Sequence, residues 1–197
     1  MFAETPPYAV LVEVSSAIAP GLGLDLQAML MAWLKQRMEQ HGGVLDAIVD
    51  KPEQLWRIRH AVSESVQSLG RLVAFDVAVP RSAFAPLREE AVRLIDAMLP
   101  GARLCDFGHL GDGGVHLNLT VPDETRAQQV EALRDAVYEA VVLRFGGSFS
   151  AEHGVGPYNQ RFYDAYTEAP LRGVCDALQR ALDPGRQLGH VRLGLSA

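Results

Sequence analysis

Cysteine is scarce: the 197-residue chain has two, Cys105 and Cys175, and they form no CxxC pair. That argues against a disulfide framework, so reduced thiols are expected. Basic charge is short as well. Eighteen Lys and Arg stand against 24 Asp and Glu, for a net charge of −6. No basic stripe is left to neutralise phosphates, which excludes a nucleic-acid binder. No apolar run reaches the roughly 18 residues of a membrane span. The opening Met1-Phe-Ala-Glu4 lacks the basic region of a signal peptide, and a soluble, cytoplasmic protein is expected. No GxGxxG follows a strand and there is no Walker loop, so the chain shows no place of its own for a large cofactor. Repeats and long linkers are missing too, and one domain over residues 1–197 is expected.

What is present alternates between strand and helix patterns. Tyr8–Val14 and Val44–Val49 read as strands, separated by a turn at Pro20–Gly23 and a helix that Asp25 caps and that runs through Glu39. Pro52 opens a second helix, with Leu55, Ile58, Val62, Val66 and Leu69 on one face and Gly70 as its stop. Leu72–Val79 reads as a third strand, and Ser82 as the cap of a helix over 83–99. Ala102–Gly108 and Val115–Val121 then form two strands around a glycine-rich turn. A helix from about Asp123 to Phe145, a Gly-Gly-Ser break and a helical tail complete the chain. The expected fold class is α+β: a mostly antiparallel sheet with helices packed on one face, a ferredoxin-like arrangement.

Two segments concentrate the chemistry. The first is Gly108-His109-Leu-Gly-Asp112-Gly-Gly-Val-His116-Leu-Asn118. A tight glycine turn between antiparallel strands lets His109 face His116, a pair suited to a metal such as Zn²⁺. The second, Ser150-Ala-Glu152-His153-Gly154-Val-Gly156, sets a carboxylate beside another histidine among small residues. Two histidines and a glutamate provide three ligands and leave positions open for substrate. Polar hairpin histidines, a non-haem iron triad and a non-catalytic metal-binding or docking module are the competing readings. The iron enzymes commonly carry an acid two residues after the first histidine, where this chain has Gly111.

GHLGDGGVHLN and SAEHGVG resemble the paired signatures of the C-terminal domain of FAD-linked oxidases of the D-lactate, glycolate and D-2-hydroxyglutarate dehydrogenase type. The likeness extends to Leu55-Trp-Arg-Ile-Arg59, Phe75-Asp-Val-Ala-Val-Pro80, Gly156-Pro-Tyr-Asn159 and Leu182-Asp-Pro184. It implies a divalent metal, usually zinc, held by His109, His116 and Glu152, with His153 as the catalytic histidine and Asn118 lining the substrate site. It also implies Arg59 as the grip on the substrate carboxylate, assisted by Ser63. Independently, Arg59 and Ser63 stand four apart and share a helix face, where a guanidinium fork beside a hydroxyl suits a planar carboxylate.

The resemblance further implies FAD, a small 2-hydroxyacid substrate and an electron acceptor. The FAD-binding domain and the opening strand–helix–strand of such enzymes have no counterpart in this sequence, so a fragment that is inactive alone and forms homo-oligomers is expected. Ala74 stands where relatives carry lysine, which favours lactate or glycolate over a substrate with a second acidic group. The ending Leu188-Gly-His-Val-Arg192 departs from the family's Asn-Pro-Gly-Lys, leaving Arg192 as the cation toward the flavin.

Overall fold

The computed structural model describes residues 9–18, 23–41, 44–189 and 191–194. Its contacts divide between Glu64 and Ser65, giving two units. The sequence shows no linker there because the division falls inside a helix.

In the first unit, helix α1 spans Leu26–His41. Asp25 caps it as expected: its Oδ1 accepts the Ala28 N–H at 2.9 Å. Leu26, Leu30 and Leu34, four apart, are the half-covered face, while Trp33 and Met38 stay exposed. Helix α2, Pro52–Gln67, starts at the predicted proline, and Gly70 beyond its end takes φ +135°. The two strands expected on either side of α1 do not form. Residues 9–14 and 44–49 are irregular, and Val10 is 84% exposed. A β-branched run is only competent for a sheet; it needs a ladder partner, and none stands beside either run among the described residues. The expected Pro20–Gly23 turn lies mostly outside the described residues.

The second unit is built around one antiparallel sheet. Strands β1 (Arg71–Val73) and β2 (Asp76–Ala78) are halves of the single strand expected over Leu72–Val79. Both pair with β4 (Gly114–Val121) in one continuous register, and between them the Leu117 N–H donates to the Phe75 carbonyl at 2.9 Å. At the break the Ala74 carbonyl turns outward and accepts from Arg134 Nη1 at 3.2 Å. Strand β3 (Arg103–His109) pairs along the other edge of β4, as the sequence predicts.

Odd-numbered residues of β1, β2 and β4, from Val73 to Val121, point into the core, as the two-residue period of a strand requires. They meet Leu87, Ala91 and Ile95 of α3 (Phe84–Met98) and Leu133, Val137 and Tyr138 of α4 (Ala127–Glu139). The fold class and the one-sided helical layer are therefore as expected, while two helix starts move. Ser82 caps nothing, because Arg81–Ala83 form a 3₁₀ turn ahead of α3. Helix α4 begins at Ala127 rather than near Asp123, since Pro122–Thr125 close a turn first, and it widens into a π-helical turn over Ala140–Arg144. Helices α5 (Gly156–Tyr166) and α6 (Ala169–Leu182) form the tail. Among the described residues no helix is long and apolar enough to cross a membrane.

One ion cluster ties α3 to the π turn. Hydrogen bonds from Arg93, then from Arg144, hold the Glu90 carboxyl down at about 2 against some opposing burial. A carboxyl depressed in the folded state contributes stability above its unfolded value near 4.5, and the contribution disappears as pH falls from there through 2. Glu90→Gln should therefore be less stable than wild type at pH 7, with the gap narrowing below pH 4.5. Urea unfolding at pH 7, 4.5 and 3 checks this, and a gap that widens in acid would contradict it.

Candidate metal and substrate site

The face of the sheet opposite α3 and α4 carries the polar residues. Even-numbered β4 residues project there, putting His116 and the buried Asn118 and Thr120 in one row. Register sets Asp76 of β2 and Phe107 of β3 on either side of His116. The Phe107 and His116 rings lie 5.3 Å apart.

The hairpin that delivers His116 is a close backbone fit. His109 ends β3 opposite Gly114, and the Asp112 side chain accepts the Gly114 N–H at 2.9 Å. Gly113 sits at φ +90°, where a Cβ would come within 2.3 Å of the Val79 carbonyl oxygen. The Val79 N–H in turn donates to the Gly113 carbonyl at 3.0 Å, tying the turn to the end of β2.

The second segment is stitched along the free edge of β2. Ala78 and Ser148 exchange backbone hydrogen bonds at 3.1 and 2.8 Å, and the Ala151 N–H reaches the Asp76 carbonyl at 3.2 Å. Gly147 allows this approach, since a Cβ there would meet the Ala78 oxygen at 2.3 Å. The Asp76 side chain completes the docking. Its Oδ2 accepts the N–H groups of Ala151, Glu152 and His153 at 3.1, 2.9 and 2.8 Å.

Two segments about 40 residues apart in the chain thus meet at one carboxylate. His116 Nε2 lies 3.2 Å from Glu152 Oε1, and His116 Nδ1 lies 3.4 Å from Asp76 Oδ1. His153 faces the same two acids at 3.9 and 3.7 Å, and its ring stacks 5.6 Å from that of His116. Burial pushes the Asp76 carboxyl up. The N–H groups of His153 and Glu152 and the two nearby imidazoles outweigh burial and hold it below the usual carboxylate range. Its Oδ1 is buried without a hydrogen-bond partner.

This donor set fits a divalent ion. One ligand atom from each of Asp76, His116, Glu152 and His153 can be chosen so that all lie within 4.8 Å of one another. Ligands about 2.0–2.1 Å from a tetrahedral ion are roughly 3.3 Å apart, close to the 3.2 Å between His116 Nε2 and Glu152 Oε1. His109 is exposed and outside that four-residue group, but it lines the same cavity of about 140 Å³ with Asp76, Asp112, His116 and Glu152. Asp76 is the residue the sequence reading gave no role. Its signal was an acid inside the apolar strand Phe75-Asp-Val-Ala-Val79, since a carboxylate is rarely buried without partners.

The remaining candidates belong to other elements. Arg59, half-buried, and Ser63, exposed, lie four apart on α2 in the first unit. Arg192 is in the tail held to α5, where its N–H donates to Gln160 Oε1 at 2.8 Å. Its guanidinium is 65% exposed and 3.8 Å from Asp164.

Fold and site together define the class: an antiparallel α+β domain with a histidine–carboxylate cluster on the sheet face away from α3 and α4. Comparison with known families makes the class specific. Residues 2–190 match the model described as FAD linked oxidases, C-terminal domain, and the chain belongs to that family. It is similar to a D-2-hydroxyglutarate dehydrogenase of Xanthomonas citri, 32% identical over 93% of this chain and 39% of the relative. It is also similar to a mitochondrial D-2-hydroxyglutarate dehydrogenase of Arabidopsis thaliana, 27% identical over 90% of this chain and 31% of the relative. A D-2-hydroxyglutarate–pyruvate transhydrogenase of Saccharomyces cerevisiae is 36% identical over 53% of this chain and 22% of its own length. The chain spans between about three and four tenths of the length of the first curated relatives it matches.

Proposed function

We propose that this chain is the substrate- and metal-binding part of a flavin-dependent dehydrogenase that oxidises a D-2-hydroxyacid to the 2-oxoacid. The observation that carries the reading is the meeting of His116, Glu152 and His153 around Asp76 in a chain of the FAD-linked oxidase family. His116 and Glu152, with His109 from the same cavity wall, are the residues we assign to a divalent metal, zinc by its preference for nitrogen and oxygen donors. Such an ion supplies Lewis acidity that lowers the pKa of an alcohol. The flavin supplies the acceptor for two electrons and the hydrogen on C2.

The chain's own residues do the rest. His153, 62% exposed on its loop, accepts the hydroxyl proton at a ring nitrogen. General-base help of this kind is worth roughly 10²–10⁴-fold. Asn118 lies two residues from His116 on the same face of β4 and serves the substrate as a polar contact. Arg59 and Ser63 are assigned to the substrate carboxylate, and Arg192 to the flavin side. Two substrates have support. Ala74, on the site face two residues before Asp76, favours a short acid such as lactate or glycolate, and we take that as the first reading. The relatives' names favour D-2-hydroxyglutarate. We also propose a cytoplasmic, self-associating protein, for which "mitochondrial" in several relatives' names gives a rival location.

Calorimetry with zinc-loaded protein tests the assignment. D-lactate and glycolate should bind at least as tightly as D-2-hydroxyglutarate. Arg59→Lys should weaken binding of all three by roughly tenfold or more, because an ammonium cannot reproduce a bidentate guanidinium fork. A strong wild-type preference for the dicarboxylate selects the second substrate. Unchanged affinity in Arg59→Lys removes Arg59 from the site.

A further inference from the structure

We propose that Asp76 is a positioning residue: it keeps the ring hydrogen of His116 on Nδ1, so that Nε2 offers its lone pair to the metal. The inference rests on the reading of His116 and Glu152 as metal ligands, and it gives a role to a residue that touches neither substrate nor flavin in that reading.

The geometry is one-sided. His116 turns Nδ1 toward Asp76 Oδ1 at 3.4 Å, while His153 Nδ1 stands 3.7 Å from Oδ2. Both imidazoles turn Nε2 toward Glu152, at 3.2 and 3.9 Å. An ionised carboxylate can only accept, and a neutral imidazole carries a single N–H. A lone pair on Nδ1 would face the lone pairs of Asp76 Oδ1, which is buried without a hydrogen-bond partner; an N–H there faces an acceptor. The hydrogen therefore belongs on Nδ1, which leaves Nε2 as the ligand atom, the usual arrangement of a carboxylate behind a metal-binding histidine.

Asp76 has little freedom to do otherwise. Its side chain is 7% exposed, and Oδ2 is held by three consecutive N–H groups of the loop that carries Glu152 and His153. One carboxylate thus anchors the loop with one oxygen and orients His116 with the other.

Asp76→Asn separates these two tasks. The amide oxygen can stay on the three N–H groups, while the NH₂ replaces Oδ1 and presents a donor to His116 Nδ1. That nitrogen becomes the acceptor, the hydrogen moves to Nε2, and the ligand lone pair is lost. The experiment uses the whole 197-residue chain labelled with ¹⁵N-histidine. Imidazole nitrogen spectra of the metal-free protein read the tautomer, and calorimetric titration with Zn²⁺ alone reads affinity.

In wild type His116 should carry its hydrogen on Nδ1. In Asp76→Asn it should switch to Nε2, with zinc affinity roughly 10–100-fold lower. A wild-type His116 with the hydrogen on Nε2 overturns the proposal, and this result needs no variant to fold. Equal zinc affinity in the two proteins overturns it as well. Weaker zinc binding without a change of tautomer also overturns it, because Asp76 is then a direct ligand. A wild type that takes up no zinc defeats the metal reading instead, while the tautomer of the metal-free protein still decides the role of Asp76.

Discussion

Replacing His116 by alanine should reduce zinc from about one ion per chain to a small fraction of that after loading and desalting. The expected loss of affinity is on the order of 100-fold or more, since a first ligand is removed rather than one of its outer partners, for which 10–100-fold is typical. The reason lies in exposure. The His116 side chain is 18% exposed and fixed between Asp76 and Glu152, whereas Glu152 and His153 are 57% and 62% exposed on their loop. Without the enclosed imidazole, the two more exposed side chains must order themselves around the ion alone. His60→Ala is the control, an exposed histidine of α2 stacked on Trp56 in the other unit, and it should keep its zinc. Elemental analysis of the three proteins decides the matter. Equal zinc in His116→Ala and wild type would remove His116 from the site.

The largest effect on stability should come from Gly113→Ala. At φ +90° a side chain is strained in any surroundings, and here the new Cβ would also lie 2.3 Å from the Val79 carbonyl oxygen. Strained φ and overpacking each cost about 1–3 kcal/mol, so a loss on the order of 3 kcal/mol is expected. The backbone cannot yield cheaply, because the Val79 N–H and the Gly113 carbonyl are hydrogen-bonded at 3.0 Å across the same contact. For a domain of this size the melting midpoint should fall by roughly 6–12 °C. Gly111→Ala, in the same turn but with nothing within 4 Å of its Cβ, should stay within about 0.5 kcal/mol of wild type. Equal melting midpoints for the two variants would show that the hairpin is not the close backbone fit described.

The hairpin and the helices were readable because their signals are local. Asp25 caps α1, Pro52 opens α2 and the glycine turn joins β3 to β4, each through contacts within a few residues. The runs at residues 9–14 and 44–49 misled for the opposite reason. Apolar, β-branched runs record a capacity for sheet pairing, but the pairing depends on a partner far along the chain. Ser82 misled similarly: it has the chemistry of a cap, and the 3₁₀ turn after Pro80 places the helix start beyond it.

By itself the sequence determined the fold class, the family and the two histidine-bearing segments, because composition, period and motif are properties of neighbouring residues. Tertiary structure decided which atoms meet. It joined β1 and β2 in one register against β4, and so set Asp76 beside His116. It laid the Ser148–Ala151 backbone along the β2 edge, and so brought Glu152 and His153 to the same place. It also made a carboxylate with no evident role the point where both segments converge, held by three N–H groups and facing two imidazoles. No local pattern encodes that convergence, since it arises from hydrogen bonds between residues some 75 positions apart.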